Sequence, residues 1–226
     1  MYPWQPLRWR HYVMGVAPGE PGQPTAVSVV EQVVAVDRDG RHQTTQLNQS
    51  HLELVPGGTR LPDLAQRIGD LHAMLARGEQ SAARPALVVD SAMLGHLLPN
   101  LLWQRSPVSV QVTSGGEETV SDKGIRMLPR RELAVGLLHA TQTGLFRTAA
   151  TLDLAARFAA ALQNFRWKPA TKVEDELDAM RREADEGLII AAALNVWWAG
   201  QFVPGPMGAG ATRARGADYN PLERMA

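Results

Sequence analysis

The residues with the most chemistry in this chain are carboxylates at the ends of regular elements. Asp90 closes the short apolar run Ala86-Leu-Val-Val-Asp90, and Asp185-Glu186 come just before the apolar stretch that begins at Leu188. Glu20 sits in the Gly/Pro-rich segment Pro18-Gly-Glu-Pro-Gly-Gln-Pro24. Acids placed in this way offer the oxygen ligands that hard cations such as Mg²⁺ or Mn²⁺ require. They equally satisfy free backbone N–H groups and favour the first turn of a helix, so capping is the competing reading of Asp90, Asp185 and Glu186.

Other chemistries are poorly supplied. The chain has no cysteine, which excludes disulfides, thiolate catalysis and cysteine-bound zinc. His11, His42, His51, His72, His96 and His139 fall at no metal-ligand spacing. No G-x-x-x-x-G-K-[ST] loop occurs, and Gly115-Gly116 alone reads as a flexible hairpin.

The formal net charge is zero, so a nucleic-acid surface would have to come from local clusters such as Arg126, Arg130 and Arg131 or the tail arginines Arg213 and Arg215. Arg130 and Arg131 stand at a predicted helix start, where the helix dipole disfavours cations; a phosphate contact would explain them, and a solvated pair is the simpler alternative. Arg166-Trp167-Lys168 pairs charge with an aromatic ring that can face nucleic acid or pack at a sheet edge.

The elements that would position these groups can be read from pattern. With 226 residues, 45% of them apolar and 20% charged, the chain suits one medium domain with a real core. Residues 1–10 form an N-terminal arm, 11–199 the domain, and 200–226 a Gly/Pro/Arg-rich tail expected to be flexible. Residues 11–16 read as a strand and the β-branched stretch 25–36 as a second. Asp37-Arg-Asp-Gly40 is a hairpin signal, so 42–54 returns antiparallel.

Leu61, Leu64, Ile68, Leu71 and Leu75 predict a helix over 61–77. Ala86–Asp90 reads as a strand buried on both faces. After it, 94–104 looks helical despite Pro99, 108–113 is a strand, and 114–123 a loop. Helices are expected over 129–143, 152–162, 174–182 and 188–198, with a short edge strand at 164–168, and Trp197 and Trp198 read as core. The apolar stretch 188–199 is too short to span a bilayer and contains Asn195, so no membrane association is expected. The N-terminus lacks the apolar core of a signal peptide, which points to a cytoplasmic protein. A meander followed by alternating helices and strands and a closing helix is the order of an RNase H-like α/β fold, a mixed sheet with a three-stranded antiparallel meander and parallel strands flanked by helices.

Several segments, taken together, resemble the C-terminal nuclease domain of phage terminase large subunits. The segment from Gly15 to Glu31 is similar to that family's first strand, glycine turn and "DPTA" second strand. Leu52–Asp63 resembles the lead into its first helix, and Val88-Val-Asp-Ser-Ala-Met-Leu-Gly95 stands where the family has "VVDATGVG". Val112-Thr-Ser-Gly-Gly116 resembles "ITGG", Leu128-Pro-Arg-Arg-Glu-Leu133 resembles "VPKREL", and Asp185–Leu194 resembles the closing "HDDLVLALAL" helix. Each piece is short and degenerate; their colinearity over residues 11–199 carries the resemblance.

The resemblance implies a DNA-packaging context in a bacterial host cell, double-stranded DNA as the partner, and a separate packaging ATPase, since the ATPase half is absent. It also implies a two-metal endonuclease site in which Asp90 with Glu186 or Asp185 holds Mg²⁺ or Mn²⁺ to activate water and stabilise the leaving oxygen. Three departures weaken that site. Ala17 replaces the first-strand aspartate, Ala92-Met93 replaces the Thr-Gly after the second acid, and the final acidic pair falls on Glu186-Gly187 or, one residue earlier, on Asp185-Glu186. Glu20 is a candidate to reach back toward the missing ligand. The expectation is a weak or inactive site holding one metal ion or none; the alternative is an active Mg²⁺- or Mn²⁺-dependent endonuclease working beside its ATPase.

Overall fold

The computed structural model describes residues 8–77, 84–122, 124–165 and 184–203. The opening meander is formed by β1 (Arg8–Ala17), β2 (Thr25–Val36) and β3 (His42–Val55), all antiparallel. Helix α1 (Leu61–Ala76) crosses to β4 (Ala86–Asp90), which pairs parallel to β1. The short helix α2 (Leu97–Leu101) and a 3-10 turn (Trp103–Arg105) lead to β5 (Val108–Thr113), parallel to β4. Then come β6 (Thr119–Val120), β7 (Arg126–Pro129), α3 (Arg130–Gln142), β8 (Phe146–Thr148), α4 (Ala155–Asn164) and α5 (Ala184–Gln201).

Among the described residues eight strands lie in the order β6-β7-β5-β4-β1-β2-β3-β8, a mixed sheet of RNase H-like topology. One face carries α1 and α2 and buries Met14, Val16, Val29, Ile68, Leu87 and Val89. The other face carries α3, α4 and α5 and buries Val13, Ala17, Val30, Val88 and the run Leu188–Leu194. The alternation along β1 and β4 is the period of two that a strand buried on both faces requires.

Helix α5 is the centre of that second layer. Its residues from Leu188 to Asn195 are all buried, which is why the segment is apolar all round rather than amphipathic. It lies so close to β1 that a Cβ added at Gly15 would be 2.1 Å from the Ala191 carbonyl oxygen. Polar contacts fix its rotation: Asn195 Nδ2 donates to the Ser28 carbonyl (3.2 Å) and to Ser28 Oγ (2.9 Å). Gln49 Nε2 donates to the same hydroxyl at 2.9 Å, and Thr148 Oγ1 donates to Gln49 Oε1 at 2.9 Å. One buried chain of amides and hydroxyls thus joins α5 to β2, β3 and β8.

Several boundaries differ from the sequence reading. The stretch 94–104 is not one helix, because Gly95 (φ 55°) breaks the chain before α2 and Ser106 (φ 52°) ends the 3-10 turn. The strands β6, β7 and β8 were not anticipated; at two to four residues each they are too short to show periodicity. Asn164 ends α4 rather than opening a strand, and 166–168 lie outside the described residues, as does the expected helix over 174–182. Trp197 and Trp198 are only partly buried, at the edge of the core, where Trp198 stacks on Phe202 with centroids 3.9 Å apart.

Candidate metal centre

Parallel pairing sends the C-terminal ends of β1, β4, β5 and β7 to one edge of the sheet. Such an edge is where open α/β sheets gather functional groups. The register runs Val13↔Ala86 to Val16↔Val89, so the next positions, Ala17 and Asp90, end their strands side by side. Both belong to the face that packs on α5, because Val13 and Val88 do and the side-chain period is two. Pro129, paired with Thr113, hands the chain directly to Arg130 at the start of α3 on the same edge.

Above Ala17 lies the first turn of α5. A Cβ added at Gly187 would be 3.3 Å from Ala26 Cβ, and Ala26 is the β2 partner of Ala17. This close seating separates the two acids that the sequence left in doubt. Glu186 turns inward, 12% exposed, and forms an ion pair with Arg130, itself 15% exposed. Asp185 turns outward and accepts from Arg157 Nε at 2.5 Å. Both sit in the helix's first turn, where negative charge is favoured.

Asp90 is fully buried. Its Oδ1 accepts from the backbone N–H of Ala92 at 2.9 Å and of Val112 at 3.1 Å. These bonds hold the chain as it leaves β4 and tie it to β5, a role akin to capping. The acid does not cap a helix, however, because α2 starts only at Leu97. Ser91 reinforces the link by donating from Oγ to the Val110 carbonyl at 2.9 Å.

The residues present do not fit a two-metal site. Ala17 brings a methyl group to the position beside Asp90, Glu186 already carries a counter-cation, and Asp185 faces another arginine. Glu20 lies on the β1–β2 turn, where its carbonyl accepts from Gln23 N–H at 2.8 Å. Among the described residues, no three His, Cys, Asp or Glu side chains converge on one ion position.

Arg126 and Arg130, two of the basic candidates, are each paired with an acid. Arg126 pairs with Glu118 at 3.0 Å and lies 5.7 Å from the centre of the Trp197 ring. Arg130 is held by Glu186, whereas Arg131 is on the exposed side of α3. Lys168 lies outside the described residues. Arg130 was legible in the sequence as an anomalous cation at a helix start; its partner, 56 positions away in the chain, was not.

No protein-family model matches the chain, and no curated protein matches it. Among solved structures it is similar to the human cytomegalovirus terminase nuclease domain soaked with Mn, at 13% identity and a TM-score of 0.48, with 84% of each chain covered. The inhibitor-bound, Mn-soaked form of that domain gives 11% identity and a TM-score of 0.45 over 84% of this chain and 83% of the other.

Proposed function

We propose that this chain is a terminase nuclease-like protein of phage DNA packaging that keeps the nuclease scaffold without a working cleavage centre. The observation that carries this reading is the strand-end constellation: Ala17 beside a buried Asp90 that serves backbone amides, and Glu186 neutralised by Arg130. The colinear terminase-like segments supply the packaging context, and double-stranded DNA is the partner it implies. The role is then binding or assembly rather than cutting.

A plasmid-nicking assay in Mn²⁺ and Mg²⁺ tests the loss of catalysis. Supercoiled DNA is expected to stay intact. Nicking that disappears in Asp90→Asn would overturn the reading in favour of an active metal-dependent endonuclease, the alternative that the retained Asp90 keeps in view. The DNA partner is tested separately by gel shift of a linear duplex, with retention that weakens as salt rises. No retention at low salt would remove DNA from the proposal.

A further inference from the structure

We infer that Arg130 is the resident cation of the strand-end site, and that metals are kept out by two residues, Ala17 and Arg130, rather than by the missing aspartate alone. The inference rests on the non-cleaving reading above and extends it to the cause. Arg130 begins α3 at the C-terminal end of β7, on the edge where Ala17 and Asp90 finish their strands. A cation at a helix start is unfavourable by itself, and its guanidinium is directed to Glu186, the acid on α5 that turns toward the sheet.

The pair is mostly buried, and a mostly buried ion pair is not released without exposing one charge in a poor solvent. A divalent ion that recruited Glu186 would have to displace an arginine that is always charged. It would then sit close to that displaced positive charge. Restoring an aspartate at position 17 supplies a ligand but leaves this competition in place. Removing Arg130 frees Glu186 but leaves position 17 without a ligand. Only the two changes together bring a third carboxylate to the edge and take Arg130 away from it, which is the ligand character that a hard divalent ion needs.

Mn²⁺ binding by the full chain, followed by electron paramagnetic resonance and by isothermal titration, tests this without any cleavage readout. The wild-type protein, A17D and R130M are each expected to bind Mn²⁺ weakly, and A17D/R130M to bind roughly tenfold tighter or better. That gain is expected to vanish when D90N is added. A17D/R130K, which keeps the positive charge, should behave like A17D. If the methionine variant does not fold, R130Q takes its place in the same series.

The inference is overturned if A17D alone binds as tightly as the double variant, or if A17D/R130K does. It is equally overturned if the wild-type protein takes up Mn²⁺ in a manner abolished by D90N. Nicking by the wild-type chain would instead overturn the functional reading, so the two failures are separate.

Discussion

Glu186 and Arg130 are the residues at which composition and geometry disagree most. From the sequence, one is a helix-start acid and the other a helix-start base, and neither has a visible reason to concern the other. Their pairing is expected to show as a coupling of about 1–3 kcal/mol in a double-mutant cycle of Arg130→Met and Glu186→Gln, read from urea unfolding. A coupling near zero would show that the pair adds nothing to stability.

His72 gives a second prediction at this scale. Its Nε2 donates to the Pro85 carbonyl at 2.9 Å, while Nδ1 is buried without a partner among the described residues. Burial, and after it the nearby Arg84 and Arg105, hold its pKa below the usual histidine value. The unfolded chain therefore takes up a proton first as pH falls through about 6.5, and stability is full above that value and declines below it. The urea midpoint should drop between pH 7.5 and 5.5, and His72→Gln should flatten part of that slope; buried His11, shifted in the same direction, contributes to it as well.

At the scale of elements, α5 and β1 carry the argument. Gly15→Ala would press a methyl group into the Ala191 carbonyl and is expected to cost about 3 kcal/mol, a fall in Tm of roughly 6–12 °C. Asn195→Ala removes the bonds to Ser28 from the other side of the same contact, at about 1–3 kcal/mol. Calorimetry on both variants checks whether this contact is the rigid core of the second layer. The long elements were legible because their patterns are strong: β2 in its β-branched run, α1 in its spacing, α5 in its unbroken apolar stretch. The short strands β6, β7 and β8 were not, since they exist only through pairing with neighbours distant in sequence. The same limit applied to the site: Asp90 and the absence at Ala17 were readable as residues at element ends, but the inward turn of Glu186 depends on how tightly α5 seats on Ala26.

For the whole molecule, the described residues form an eight-stranded sheet with an apolar cluster buried under the helices on each face. Among the described residues no helix is long and apolar enough to cross a membrane. The parallel register that sets position 17 beside Asp90 is made by backbone bonds, so it exists whatever side chain stands there. Two carboxylates at those positions would repel until a cation arrived, and the stability of such a protein would follow the ion content of its surroundings. A methyl group in that place adds no such repulsion. Chelation by EDTA is expected to leave the wild-type Tm unchanged, whereas A17D/R130M should melt lower in EDTA and recover on adding Mn²⁺. If the wild-type Tm does not respond to EDTA, a chain built in this way would keep its shape in ion-poor conditions that would loosen a cation-dependent relative.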